Sequence, residues 1–327
     1  MHILLTGATG FIGTNLVDCL LNQKRSVTVL VLPETLGQLP RRAQLKVVLG
    51  GLDDQNALLR ATEDVGVVFH LAGAIPGSSL LDLTRVNVRG TANLLEKCKA
   101  SGVRRFVFVS SAAVYRPALS LADQPITENS PLGPLGNVAL RTYGQSKIEA
   151  ERLVLKYHQN HELEFSILRP TTAFGVRQGV IAKPMEDFLV TLLQNAKSVL
   201  YGSRLGCNMQ WVHVRDLVNA IICAGFLPES KNQVFTIAGG ELFNIPQLTA
   251  IMLDILSLPS RINAFGSHVA LRRYPYLVYD TTKARRLLGY KPQVDLRAGL
   301  SEMLENMDRN GKLPWSLSRR RKVAYCG

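Results

Sequence analysis

Charge is scarce in this chain, and negative charge scarcer still: charged residues make up 19% of 327, with 25 Asp and Glu against 38 Lys and Arg. Beside 46% hydrophobic residues, that scarcity excludes a disordered, self-repelling chain. Long apolar runs are missing too. The strongest, Val27 to Leu32, is strand-sized, whereas a membrane helix needs about 20 residues, so no membrane partner is expected. A secretory leader is not expected either, because His2 to Thr6 reads as a strand running straight into a glycine loop at Gly7. Cleavage there would remove the first structural element, and the expected location is cytoplasmic.

Cysteine is sparse and unpatterned. The five (Cys19, Cys98, Cys207, Cys223, Cys326) are odd in number, widely spaced and without a C-x-x-C, which fits core thiols in a reducing compartment. Among six histidines only His158 and His161 stand close, far from any thiol, so no metal site is expected. The net charge of +13 is partly a tail effect: residues 308–327 hold six basic residues against Asp308. The remaining Arg pairs do not interleave with aromatics as in single-strand binders, so no specific nucleic-acid partner is expected. A basic surface still attracts anionic cofactors and substrates.

What the chain does have is alternation. Apolar β-type runs at Ile3–Thr6, Val27–Leu32, Leu45–Leu49, Val65–Leu71, Phe106–Ser110 and Phe165–Arg169 are separated by helical patterns. Those helices are expected at Phe11–Leu21, Asn56–Ala61, Leu80–Lys99 and Arg141–Tyr157. Near-continuous Val, Ile and Leu strands read as buried on both faces. The pattern predicts an α/β fold, a doubly wound parallel Rossmann sheet with a smaller mixed C-terminal substrate lobe. In that lobe, helices are expected at Met185–Asn195, Ile245–Leu256, Thr281–Leu288 and Leu296–Met307, and short strands at Trp211–Val214 and Val234–Ile237. Residues 1–170 would form the cofactor domain, with 209–238 returning to it; 171–208 and 239–310 would form the lobe, and 311–327 a basic tail.

The first strand leads into Thr6-Gly7-Ala8-Thr9-Gly10-Phe11-Ile12-Gly13 and then a helix. Glycines at 7, 10 and 13 let the backbone turn tightly against a pyrophosphate, whose charge meets the helix N-terminus. Strand before and helix after make this a dinucleotide loop. At the end of the second strand, Leu32-Pro33-Glu34 with Arg41 and Arg42 beyond carries neither a clear acid for the ribose diol nor a near base for a 2′-phosphate. NAD and NADP both stay open.

Further on, Tyr143 and Lys147 stand one helical turn apart and share a face. A phenol of pKa about 10 works near neutrality only if lowered by about three units, roughly 4 kcal/mol. A cation about 4 Å away at an effective dielectric near 20 supplies that, and Lys147 is the expected source. Ser111, just past the fifth strand, would hold the reacting oxygen beside Tyr143.

Assembled in order, these segments resemble the extended short-chain dehydrogenase/reductase family, NAD-dependent epimerase/dehydratase type. The likeness spans about residues 1 to 305. Beyond Gly7–Gly13 and Tyr143–Lys147 it includes His70-Leu71-Ala72-Gly73, Asn87-Val88-Arg89-Gly90-Thr91, Ser110-Ser111-Ala112-Ala113-Val114-Tyr115 and Leu168-Arg169-Pro170. Trp211–Asp216 and Lys283–Tyr290 complete it. The resemblance implies Ser111, Tyr143 and Lys147 as catalytic residues. It implies cofactor contacts from Gly7, Gly10, Phe11, Ile12, Gly13, Leu52, Leu71, Ala72, Gly73, Tyr143, Lys147 and Pro170. Substrate contacts would come from Ser111, Tyr143 and Thr172, with Asn87 near the active site. A homodimer through residues 80–99 and 141–157 is also implied.

Departures from the family pattern narrow the chemistry. Ala112 and Ala113 stand where the dehydratase branch carries Asp-Glu, which disfavours elimination. Thr172 and Met209 replace the Asn and Arg common near a sugar nucleotide's diphosphate. Gly51 replaces an Asp that often meets the adenine amine, with Asp53 nearby; Val176 and Arg116 replace a usual Pro and Gly. The expected function is an NAD(P)-dependent sugar epimerase or ketoreductase, transferring hydride at a secondary alcohol or ketone carbon of a small molecule, such as a nucleotide-activated sugar or related polyol. Alternatives are an NADP-dependent ketoreductase or dehydrogenase of a non-nucleotide secondary metabolite, or a catalytically silent NAD(P)-sensing module.

Overall fold

The computed structural model describes residues 2–40, 42–116, 124–134, 136–161, 163–176, 182–196, 199, 208–258 and 277–314. Cys207, Cys326, Arg41 and the tail cluster Arg319–Lys322 lie outside the described residues. The first half alternates β1 (His2–Thr6), α1 (Phe11–Asn22), β2 (Val27–Val31), β3 (Leu45–Leu49), α2 (Gln55–Thr62) and β4 (Val65–His70). It continues with α3 (Leu80–Asp82), a π-helical segment (Leu83–Arg89), α4 (Gly90–Ala100), β5 (Arg105–Val109), α5 (Val138–His161) and β6 (Glu164–Pro170). The second half holds β7 (Ala173–Phe174), α6 (Lys183–Gln194), β8 (Val212–His213), α7 (Val214–Phe226) and β9 (Gln233–Ile237). It closes with α8 (Ile245–Ile255), α9 (Thr282–Leu288) and α10 (Leu296–Arg309).

Seven strands form one sheet in the order β3-β2-β1-β4-β5-β6-β9, and every pairing is parallel. Parallel strands need crossovers, and the helices that supply them cover both faces. On one face Leu16, Val17 and Leu20 of α1 and Leu217 and Ile221 of α7 pack against Leu5, Val29 and Phe69. On the other, Leu58, Leu94 and Val154 pack against Leu4, Val68 and Phe106. The chain winds outward from β1 in both directions, so a crevice opens past the carboxyl ends of β1 and β4, where ligands of such sheets bind.

Local chemistry sets the helix ends. Asp54 caps α2 by accepting from the Asn56 and Ala57 amides at 3.0 and 2.9 Å. Asn244 and Gln247 form a reciprocal capping box at α8, and Asp295 caps α10. A separate apolar core, with Phe174, Leu189, Trp211, Phe243, Met252, Leu300 and Met303, builds the smaller lobe over the crevice.

The structure corrects four expectations. Helix α7 replaces the region after Trp211–Val214 that carried no helical expectation. It is an amphipathic helix with a narrow polar side: Arg215 and Asn219 are exposed, while Leu217, Val218, Ile221 and Ala224 are buried. Strand β3 is not buried on both faces: it is a sheet edge, and Val47 and Leu49 are exposed. The single helix expected over Leu80–Lys99 is three segments with a π-helical middle. Helix α5 starts at Val138, before the expected Arg141, and runs on to His161, so Tyr143 lies in its second turn.

Candidate active site

Two cavities lie end to end along the crevice. The first, about 540 Å³, is lined by Gly7, Gly10, Phe11, Ile12, Gly13, Ser111, Tyr143, Lys147, Pro170 and Thr172, together with lobe residues. The second, about 400 Å³, runs past Leu32, Thr35, Gly51, Leu52, Asp53, Ala72 and Arg85. Gly7, Gly10, Leu71, Gly73 and Ala74 border both, so the glycine loop forms the waist of one elongated groove. Every residue singled out from sequence for cofactor, substrate or catalysis borders one cavity or the other.

The glycine loop fits a pyrophosphate on its own geometry. A Cβ on Gly13 would stand 2.0 Å from the Gly7 carbonyl oxygen, and one on Gly7, at φ +74°, 2.6 Å from the Ala72 nitrogen. No side chain caps α1, whose first amides on Phe11, Ile12 and Gly13 border the cavity. Uncapped helical amides with a helix dipole behind them are an anion site. At the far end of the second cavity, a Cβ on Gly51 would lie 2.5 Å from Asp53 Oδ1, so the Asp53 carboxylate occupies the space that an Asp at 51 would claim. Arg85 pairs with it at 3.6 Å.

Ser111 follows β5, and its Oγ accepts from the Ala113 amide at 3.1 Å. Burial pushes the Tyr143 phenol up to about 12, with the neighbouring Ser111 hydroxyl acting in the opposite direction. Lys147 is brought down to about 8 by burial, partly offset by Glu151 one turn further along α5. Its ammonium donates to the Val109 carbonyl at 3.0 Å and stands 4.8 Å from the centre of the Phe108 ring. The expectation that Lys147 lowers the phenol by three units is therefore corrected. In this geometry the lysine charge is held by a strand-end carbonyl and a ring face, and the phenol stays protonated at neutral pH.

Behind Lys147 lies a buried ion pair: Arg169 Nε and Nη2 donate to the Glu151 oxygens at 3.0 and 2.7 Å. Arg169 also covers the Tyr115 ring at 4.9 Å. Sequence reasoning missed several lining residues. Leu277 and Tyr279, packed on Val114, Tyr115 and Ile126, line the first cavity with no motif to announce them, and Gln210 fixes Tyr279 by accepting from its amide at 2.9 Å. Ser110 Oγ and Thr171 Oγ1, at the ends of β5 and β6, are buried without a hydrogen-bond partner. Among the described residues no cluster of His, Cys, Asp or Glu could hold a metal ion, and no helix is long and apolar enough to cross a membrane.

Comparison with known proteins agrees with this geometry. The chain is 28% identical over 323 residues to a putative UDP-glucose 4-epimerase of Methanocaldococcus jannaschii, covering 95% of this chain and 99% of that protein. It is 30% identical over 319 residues to a dTDP-glucose 4,6-dehydratase of Streptomyces griseus, covering 92% of each. The solved structure of MoeE5 in complex with UDP-glucose and NAD matches with a TM-score of 0.75 at 27% identity, covering 95% of this chain and 99% of that one. The sequence model of the NAD dependent epimerase/dehydratase family matches residues 3–239, and with the loop, the strand-end serine and the Tyr143–Lys147 turn lying along one groove, the chain belongs to that family of NAD-dependent enzymes.

Proposed function

We propose that this protein is an NAD-dependent epimerase that inverts a secondary alcohol carbon of a nucleotide-activated sugar. The observation that carries the reading is the meeting of Ser111, Tyr143 and Lys147 at one end of a groove whose waist is the glycine loop. NAD, when bound, supplies a hydride acceptor and donor. Gly7, Gly10 and the amides of Phe11, Ile12 and Gly13 would hold its pyrophosphate, Leu52, Leu71, Ala72 and Gly73 would line its path, and Pro170 would flank the reacting end.

Tyr143 takes the alcohol proton as the carbon loses hydride, and returns it when hydride comes back to the opposite face. Ser111 holds the substrate oxygen through this exchange. To act as a base the phenol must fall from about 12. A positive charge within about 4 Å lowers it by roughly three units, and the oxidised cofactor carries such a charge.

Elimination finds no support in the described lining of the first cavity, which contains no Asp or Glu. The walls suit a sugar: Ile75, Leu140, Trp211 and Leu277 offer apolar surface, while Thr172, Asn208 and Gln210 add polar side chains. Sugar-nucleotide names among the relatives support the activated form. A second reading, reduction of a non-nucleotide ketone, is favoured by Thr172 and Met209 in a lining whose one described ion is Lys147.

In this reading residues 1–170 with 209–238 bind the cofactor, and 171–208 with 239–310 bind the substrate. Two such chains pair through the exposed flanks of α3 and α5, where Leu80, Leu81 and Val138 are exposed. A cytoplasmic location is supported by the free thiols of Cys19, Cys98 and Cys223.

The test is mass spectrometry of nucleotide released on denaturing freshly purified protein, followed by assay with UDP- and dTDP-sugars. Near one NAD per chain and interconversion of a sugar nucleotide's epimers, lost by at least about 100-fold in Tyr143→Phe, is the expected result. A protein that binds no sugar nucleotide but reduces ketones with exchangeable cofactor establishes the second reading. Wild-type rates in Tyr143→Phe would end both.

A further inference from the structure

A buried hydrogen-bonded chain crosses the molecule beneath the groove, and every proton in it has one possible place. Thr91 Oγ1 lies 2.6 Å from the Asn87 carbonyl, which only accepts, so the threonine proton is spent there. Thr91 must then accept from His70 Nε2 at 2.9 Å. Burial, reinforced by the Lys147 charge, pushes His70 down to about 3, so the ring is neutral and its Nδ1 is an acceptor. Thr6 Oγ1, 2.7 Å away, therefore donates to Nδ1 and itself accepts from the Ala72 amide at 3.3 Å.

The other arm is equally determined. Asn87 Oδ1 accepts from the Ala74 amide at 2.7 Å, so Nδ2 is the amide nitrogen that donates to the Ala74 carbonyl and to Ser146 Oγ, at 3.1 and 2.9 Å. Ser146 gives its own proton to the Tyr143 carbonyl at 2.7 Å. Thr6, His70, Asn87, Thr91 and Ser146 are all buried. Asn87 rides on the π-helical segment, a rare geometry found mostly at functional sites. The ring of Phe108 packs against both His70 and the Lys147 ammonium.

We propose that this chain couples cofactor binding to the catalytic helix: it ties the Ala72–Ala74 backbone at the waist of the groove to the turn of α5 that carries Tyr143 and Lys147. His70 and Ser146 are positioning residues in this account. Neither borders the two cavities, yet each fixes a backbone segment that does. The inference rests on the reading that the groove binds NAD and that Tyr143 reacts beside it. A neutral, doubly anchored imidazole transmits position without titrating across any working pH, which explains a histidine where no proton transfer takes place.

The test is amide hydrogen exchange of the full-length protein with and without NAD, with NAD affinity measured alongside by calorimetry. In the wild type, NAD is expected to slow exchange about tenfold both at residues 72–74 and in the α5 turn after Tyr143. Ser146→Ala cuts the chain between them, so only residues 72–74 should slow, with NAD affinity within about twofold of wild type. Ser146→Thr keeps the hydroxyl and should restore protection of α5. His70→Asn keeps an acceptor for Thr6 but drops Thr91; it leaves the Ala74–Asn87–Ser146 arm whole, so the α5 response should persist. If Ser146→Ala protects α5 as the wild type does, the coupling is wrong while NAD binding stands. If wild-type protein binds no NAD, the functional reading fails and this inference falls with it.

Discussion

Replacing Glu151 with glutamine strips the charge from the buried pair that backs the catalytic turn while keeping its shape. The side chains of Arg169 and Glu151 are 6% and 2% exposed, so water barely screens them. Breaking such a pair from one side leaves an uncompensated buried cation and costs about 3–5 kcal/mol. At about 2.1 cal/mol/K per residue, a chain of 327 residues has an unfolding entropy near 0.7 kcal/mol/K, so the melting temperature should fall by about 4–7 °C. The same change has a second, independent consequence. Glu151 raises the pKa of Lys147, which burial has already brought down to about 8. Without that carboxylate the ammonium deprotonates at lower pH, and the alkaline limb of kcat/KM should move below its wild-type position. Calorimetric melting and a pH–rate profile of Glu151→Gln measure the two effects separately. The double variant Glu151→Met with Arg169→Met should regain much of the stability, because an apolar pair leaves no charge stranded. A variant that melts like the wild type, or whose alkaline limb moves upward, would refute the reasoning.

Two other outcomes follow from the site geometry. Because Lys147 loses its proton near 8, activity that depends on its charge should decline as pH rises through that value; Lys147→Arg keeps the charge and should carry the decline upward by more than about one unit in a pH profile. Gly13→Ala puts a methyl 2.0 Å from the Gly7 carbonyl oxygen, so the loop must open; calorimetric titration should find NAD affinity reduced at least about tenfold, and unchanged affinity would mean that the loop does not hold the pyrophosphate.

The order of strands and helices, the dinucleotide loop and the Tyr143–Lys147 turn were legible in the sequence because each is a local matter. Alternation of apolar runs, glycines at 7, 10 and 13 and a spacing of one helical turn depend only on neighbours along the chain. Helix α7 was not read from the sequence, because its polar side is only Arg215 and Asn219 wide and the rest packs inward; a Cβ on its Gly225 would stand 2.4 Å from the Phe69 ring. The exposed edge at β3 was hidden for the converse reason: Val47 and Leu49 are apolar, and only the sheet order puts them on the rim.

Tertiary structure also decided the electrostatics. From spacing alone Lys147 serves the phenol, but Val109 O and Phe108, brought from another strand, hold its ammonium, and burial raises Tyr143. Likewise the sequence presents Thr6, His70, Asn87, Thr91 and Ser146 as scattered polar residues. Folding removes them from water, and each buried donor must then find an acceptor, which links residues 6 through 146 into one chain. Chemistry that depends on neighbours in sequence is written in the sequence. Charge states and hydrogen-bond partners depend on neighbours in space, and only the packed fold assigns them.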